Sequence, residues 1–440
     1  MKLLKEWRKS LDMIFILGGK IMKIKKMLVI LVALVLMLNT SAVGLSVAAV
    51  DNTALEAGND LTAEAIRFNS EGKLKILHIT DTHLEKLLHR EVTLWMIERI
   101  CDIEKPDVVI LTGDNVINYD DAEVTKGIIS DLMGIFESRG LPIAVTFGNH
   151  DSEQGAMSRE ELMACYNSFS ASISVDDGEV LSHCGTYNIP VLASDSDKVK
   201  FNLWVFDSGD YYEGDDSRYD CVQPDQIEWY KETSAKLRKA NGGETVNSLA
   251  FQHIIVPEVY DALEQIDFWQ PFAVSHIYNS GEYYTFDADG TNYGILKEKP
   301  CPGYVNYGQF DAMVESGDVL AMFTGHDHSN GFGVRYEDID IYTTPSTRYK
   351  GSAYSTQFGY RIIEVDENDT STYETRVMRH YDVFDFTYAM EVLGEGDILS
   401  VSRAFELAIK GTVQKAFEKV YSTMAETLTG RKVAYPESVQ

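Results

Sequence analysis

The residues with the chemistry to act in this chain fall in short clusters: Asp81 with His83, Asp114, Asn149 followed by His150 and Asp151, His253, and His326 with His328. The chain has ten histidines; five lie in these clusters, while His78, His89, His183, His276 and His380 are scattered. Imidazole and carboxylate with one neutral amide and no thiolate suit divalent Fe, Mn, Zn or Co. The set is too large for a single ion. A carboxylate shared between two ions would hold them about 3.5–4 Å apart, the arrangement used for in-line displacement at phosphorus. Taken singly, each cluster also has an ordinary explanation. Gly148 to Asp151 reads as a polar turn, Asp81 as a helix cap, and His78 as a core residue.

The elements that must carry these residues change the balance. Apolar, β-branched runs at 73–80, 107–112 and 143–147 predict strands, separated by helical spacing at 91–104 and 122–139. A β-α-β-α-β order predicts a parallel sheet with ligands at the carboxyl ends of its strands. The first three clusters therefore share one sheet edge. Strands at 248–252 and 318–324 deliver His253 and the pair His326 and His328, and another strand is expected at 199–207. A helix at 159–169 is followed by loop-like sequence to 198, and a helix occupies 226–240. Residues 208–220 form an acidic, tyrosine-rich loop, and 276–304 a tyrosine- and glycine-rich wall; 310–315 is helical. Runs at 339–343, 360–365 and 373–378 alternate like antiparallel strands, and the chain is mostly helical from 391.

Composition is that of a globular protein, with 45% apolar and 24% charged residues. Residues 1–49 carry eight Lys/Arg against two Asp/Glu, leaving 31 bases against 66 acids in the remainder. So acidic a surface repels nucleic-acid duplexes and anionic lipid, and an anionic substrate requires a strong positive centre, which bound metals supply. Lys23, Lys25 and Lys26 precede an apolar run over 27–38 and small residues up to Ala49. This is the pattern of a cleaved secretory signal with an upstream extension over 1–49, so a secreted or cell-surface protein without a stable transmembrane span is expected. Residues 50–70 read as a leader, 71–380 as the catalytic domain and 381–440 as a helical tail. Five cysteines without a C-x-x-C pair exclude a thiolate zinc site and leave disulfide pairing and oligomeric state open.

Asp81-x-His83, Gly113-Asp114-Asn115, Gly148-Asn149-His150-Asp151, His253 and Gly325-His326-x-His328 together resemble the ordered motifs of the calcineurin-like metallophosphoesterase superfamily. Residues 221–233 and 325–332 are similar to its purple-acid-phosphatase-like branch. The resemblance spans about residues 72–367. It implies a four-layer α-β-β-α sandwich with a dimetal site at the strand carboxyl ends. Asp81, His83 and His328 would bind the first metal, Asn149, His253 and His326 the second, and Asp114 both. His150 would face the substrate, oriented by Asp151. The resemblance departs at Ile117, where purple acid phosphatases carry an iron-binding tyrosine; Tyr119 is out of register. A tyrosinate-bound ferric centre is thus not implied, and the two ions are left among Fe, Mn and Zn. The expected reaction is hydrolysis of a small phosphate monoester by in-line attack of a metal-bridging hydroxide, with His150 assisting the leaving group. A phosphodiesterase acting on nucleotides or lipid head groups is the alternative, and a non-catalytic protein that kept the fold is the third reading.

Overall fold

A computed structural model describes residues 61–86, 88–153, 155–175, 180–268, 270, 273–287, 293–349, 357–395 and 398–429. The expected signal over 1–49 and the first part of the expected leader lie outside the described residues. From residue 61 onward the leader is part of the fold. Leu61, Ala63 and Phe68 are buried, and β1 (Ile66–Arg67) pairs in parallel with β5 (Tyr187–Leu192).

The expected parallel unit forms β2 (Lys73–Ile79), α1 (Leu88–Glu104), β3 (Val108–Thr112), α2 (Ala122–Glu137) and β4 (Ile143–Thr146), followed by α3 (Arg159–Tyr166). Asp121 caps α2 by accepting from Glu123 N, and Ser158 and Glu161 form a capping box at α3. β2, β3 and β4 are parallel neighbours in a five-stranded sheet, extended by β15 (Gly359–Asp366) and β16 (Asp369–Arg379) in antiparallel pairing.

A second, eight-stranded sheet runs β1, β5, β6 (Val199–Val205), β7 (Ser248–Phe251), β12 (Val319–Thr324), β14 (Ile339–Thr343), β13 (Gly331–Tyr336) and β11 (Tyr293–Ile295). Its central strands β6, β7, β12 and β14 are parallel, so β14 is not the purely antiparallel strand its alternation suggested. β5 lies within sequence that reads as loop. Pro190 hides it, yet its missing N–H does little harm beside the short β1, which reaches only Val191 and Leu192. β8 (Glu264–Ile266), β9 (Val274–Ser275) and β10 (Tyr283–Thr285) form a small separate sheet within the expected wall.

Strands buried on both faces give four layers. Leu74, Ile76, Val108, Ile110 and Val365 of the first sheet pack against Phe201, Leu203, Phe251 and Phe323 of the second. The first sheet's outer face, with Leu77, Ile79 and Val109, is covered by Trp95 and Ile97 of α1 and by Ile128, Leu132 and Phe136 of α2. The second sheet's outer face, with Trp204, Ala250 and Met322, is covered by α4 (Pro224–Ala240) and α5 (Gln309–Ser316) through Tyr230, Phe310 and Met313. The chain is therefore an α-β-β-α sandwich.

Residues beyond 380 are helical as expected, in α6 (His380–Val383), α7 (Phe386–Glu395) and α8 (Ile398–Thr429). They are not a loose tail. Phe384, Ala389, Ala404 and Leu407 join the core around α1, and Trp95 Nε1 donates to Ser400 Oγ at 2.9 Å. Among the described residues no helix is long and apolar enough to cross a membrane.

Two histidines are buried outside the clusters. His78 lies between Thr112 Oγ1 (2.7 Å) and Thr344 Oγ1 (2.9 Å), and His380 Nε2 lies 2.9 Å from Thr347 O. Burial lowers them to about 3 and about 4 respectively, with Arg361 adding to the effect on His78. Above the unfolded value of about 6.5 neither histidine makes stability depend on pH. As pH falls from there towards the folded values, only the unfolded chain gains the protons, and each histidine costs about 1.4 kcal/mol of stability per pH unit. Thermal melts between pH 7.5 and 5 should therefore fall steeply for the wild type and less steeply for His380→Gln; equal slopes would refute the assignment.

Candidate metal centre

Every cluster leaves the carboxyl end of a strand. Asp81 and His83 follow β2, Asp114 follows β3, Asn149 follows β4, His253 follows β7, and His326 and His328 follow β12. The first three strands belong to one sheet and the last two, adjacent and parallel, to the other. The site thus spans both sheet edges.

Ligand-capable atoms of Asp81, His83, Asp114 and His328 lie within 4.8 Å of one another, as do those of Asp114, His253 and His326. Asp114 is common to both groups. His83 Nε2 and His328 Nε2 are 3.0 Å apart, and His328 Nε2 is 3.2 Å from Asp81 Oδ1. Asp114 Oδ2 is 3.5 Å from His83 Nε2 and 3.4 Å from His253 Nε2.

The donor set fits two cations. Asp81 Oδ1, Asp114 Oδ2, Asn149 Oδ1, His253 Nε2 and His326 Nε2 are all buried without a hydrogen-bond partner, an arrangement that costs stability unless something else binds them. Their neighbouring atoms are firmly held. His253 Nδ1 pairs with Thr112 O at 2.8 Å, which leaves Nε2 as the free nitrogen. Asp81 Oδ2 accepts from Thr80 Oγ1 (2.8 Å) and His326 N (2.9 Å). Asn149 Nδ2 donates to Tyr211 Oη at 2.9 Å, so its carbonyl oxygen is the free end.

The field in the site calls for positive charge. Burial opposes ionisation of Asp81 and Asp114, yet the surrounding histidines hold both carboxyls below the usual range. Burial likewise disfavours charge on His253, but Asp114 and Asp81 outweigh it and raise this imidazole to about 9. His326, buried and beside His253, is lowered to about 3.

The local backbone is strained where the ligand candidates sit. Asp81, His83, Asp114 and His326 have φ of 53°, 40°, 50° and 68°, in the left-handed region that L side chains avoid. The glycines beside them permit the close approach. A Cβ on Gly148 would fall 2.3 Å from Asp114 Oδ1 and 2.7 Å from His253 Nε2, and one on Gly325 would fall 1.9 Å from Thr80 Oγ1.

The expected pairing of Asp151 with His150 is overturned. Asp151 is fully buried and accepts backbone N–H groups from Asp114 (2.7 Å), Gly148 (2.8 Å), Asn115 (2.9 Å) and Val116 (3.3 Å). With its carboxylate committed to those amides, it clamps the two loops that follow β3 and β4. Glu153 Oε2 instead lies 2.6 Å from His150 Nδ1, and its Oε1 accepts from Tyr211 Oη at 2.5 Å. Asn149, Tyr211, Glu153 and His150 form one hydrogen-bonded chain. His150 resists charge through burial, but Asp114 and Glu153 raise it above its ordinary value. Its ring centroid is 5.4 Å from that of His83, and its side chain is 38% exposed on the open side.

Several contributors are absent from the sequence reading. Glu153, three residues after His150, could have been found by its spacing. Tyr211 sits in the loop singled out only for composition. Arg159 gave no signal: it forms an ion pair with buried Asp207, and Nη2 donates to Gly148 O at 2.9 Å. The Tyr119 hydroxyl accepts from Lys86 N at 3.0 Å, and its ring packs against the core around α1 and α2. Ligand-capable atoms of Cys301, His326 and Asp327 lie within 4.8 Å of one another, and all five cysteines are free thiols.

Residues 74–330 match the model of the calcineurin-like phosphoesterase family, and the chain belongs to that family. It is 27% identical to an Arabidopsis thaliana protein named probable inactive purple acid phosphatase 14, over 66% of this chain and 75% of the relative. It is 26% identical to Phosphatase DCR2 of Saccharomyces cerevisiae, over 45% of this chain and 37% of that protein. A dimetal phosphatase structure from Danio rerio covers 69% of this chain and 98% of its own at 11% identity and a TM-score of 0.42, a likeness too slight to bear on function.

Gly148→Ala should lower stability by about 1–3 kcal/mol even with chelator present, because its Cβ would wedge Asp114 from His253. Denaturant unfolding of the two proteins measures this; an unchanged midpoint would show that the loops separate at no cost.

Proposed function

We propose that this protein is an exported, dinuclear-metal hydrolase of small phosphate monoesters. The observation that carries the reading is that four partnerless buried donor atoms, on Asp81, Asp114, His253 and His326, belong to two ligand groups sharing Asp114. Asp81, His83 and His328 would hold one divalent ion, Asn149, His253 and His326 the other, and Asp114 both, with Fe, Mn or Zn as fitting metals. When bound, such a pair supplies the positive charge that favours loss of a proton from water near neutral pH and neutralises phosphoryl oxygens.

The chain's own groups supply the rest. Glu153 fixes the His150 ring through Nδ1, leaving Nε2 to donate a proton or hydrogen bond to the departing ester oxygen. Tyr211 couples that orientation to the Asn149 amide, so leaving-group assistance and ligand geometry share one support. Asp151 acts further back, as the positioning group for the loops. Export rests on the basic and apolar pattern of residues 1–49.

The word "inactive" in the names of the Arabidopsis relatives keeps the non-catalytic reading in play. The decisive comparison is hydrolysis of p-nitrophenyl phosphate against bis(p-nitrophenyl) phosphate, with chelator and after restoring Mn, Zn or Fe. The monoester should be the better substrate, and chelator should abolish turnover. A preference for the diester would favour the phosphodiesterase alternative, and no turnover of either would overturn the hydrolase reading. His150→Ala should lower kcat by about 10²–10⁴-fold while metal content is retained. Asp114→Asn should instead lose both metal equivalents by elemental analysis. Tyr211→Phe should weaken one of the two equivalents by about 10-fold or more in calorimetric titration; two unaltered equivalents would remove Tyr211 from the site.

A further inference from the structure

Beside His83 a cavity of about 130 Å³ is lined by His83, Thr82, His89, Arg90, Thr93 and Arg348, with Glu85 the one carboxylate among its lining residues. That is room for about four waters at ~30 Å³ each. Two guanidiniums against one carboxylate make this lining basic in an otherwise acidic chain. Arg348 reaches the metal centre itself, its Nη2 lying 3.2 Å from His328 Nδ1. Its guanidinium lies over the Phe358 ring at 5.4 Å, and its Nε is buried without a hydrogen-bond partner. Among the described residues no carboxylate lies within ion-pair distance of Arg348. Arg90 closes the other side, steadied by a 3.4 Å pair to the half-exposed Asp131.

These groups are the kind that bind an anion: planar guanidinium donors, imidazoles and the Thr93 hydroxyl, whose oxygen accepts from Tyr349 N and so leaves its proton free, around a small hollow. Asp81 and Asp114 act on Arg348 only through space, and neither forms an ion pair that would hold its guanidinium. The cavity also shares the His83 wall with the centre, so a group occupying it sits next to whatever the centre holds.

We propose that this cavity is a second anion subsite, and that the preferred substrates are phosphate monoesters carrying another anionic group, carboxylate or phosphate, close to the scissile phosphate. The substrate class rests on the phosphoesterase reading above, whereas the anion site itself does not.

The test uses the full chain loaded with Mn, two non-hydrolysable probes and calorimetry. Phosphonoacetate carries a phosphonate and a carboxylate; methylphosphonate carries the phosphonate alone. The wild type should bind phosphonoacetate about 10-fold or more tightly than methylphosphonate, the scale of one charge-assisted hydrogen bond. In Arg90→Gln that ratio should fall to within about twofold of unity. Arg348→Gln should do the same, read alongside metal content because Arg348 touches His328. Equal affinity for the two probes in the wild type, or a ratio that survives in both variants, overturns the subsite. Turnover of p-nitrophenyl phosphate measured in parallel separates the two proposals: turnover without the ratio sinks the subsite alone, and the ratio without turnover sinks the hydrolase and keeps the subsite.

Discussion

One buried carboxylate holds the site together. Asp151 takes four backbone N–H groups, three from the loop after β3 and one from the loop after β4, at 2.7–3.3 Å. Hydrogen bonds to a charged acceptor contribute roughly 1.5–3 kcal/mol each where they replace water, and several acting together can outweigh local strain. That matters because Asp114 sits at φ 50°, a conformation costing on the order of 1–3 kcal/mol for a residue with a side chain. The clamp turns Asp114 into a stiff mount, and Asp114 in turn accepts from His150 N at 2.8 Å. Without Asp151, neither the shared ligand candidate nor the imidazole has a fixed address.

The second constraint is electrostatic. Asp81 and Asp114 are both fully or almost fully buried, ringed by imidazoles that cannot all donate to them at once. Neutral histidines leave partnerless acceptors, and protonated ones crowd charge beside charge. A pair of divalent cations would resolve both conflicts, displacing the His253 proton and giving the partnerless nitrogens and oxygens a partner. Local strain and local charge frustration therefore coincide at one place, on a scaffold whose strands elsewhere bury mainly apolar side chains.

The parallel unit and the residues of the centre were legible in the sequence because two periodicities agreed: buried strands ended in ligand types, and the intervening helices fixed those ends on one edge. The partner of His150 was not legible. Adjacency made Asp151 the natural choice, but neighbouring side chains at a turn point apart, and the residue three positions on came round to the ring. β5 was missed because Pro190 and Asn188 break the apolar pattern, although Tyr187, Ile189 and Val191 complete the buried face. Residues 381–429 were legible as helix but not as core, since an amphipathic helix does not name the surface it covers. Arg159 and Arg348 come from distant segments and act through contacts that no local spacing encodes.

The acidic surface now has a physical counterpart. With 66 acidic residues against 31 basic ones beyond residue 49, the far field repels phosphate esters and other anions alike. Capture of an anion must then depend on short-range positive charge, effective only within about a Debye length of 8 Å at physiological salt. The centre and the Arg90–Arg348 cavity share the His83 wall, so their fields combine over one small opening rather than over the whole face. With metals bound, an anion with a single charge would gain from one of these sources, and an anion with two charges would gain from both. With metals in the centre and the proposed subsite occupied, repulsion outside and paired attraction inside would act as a filter on charge spacing, more selective than either site alone.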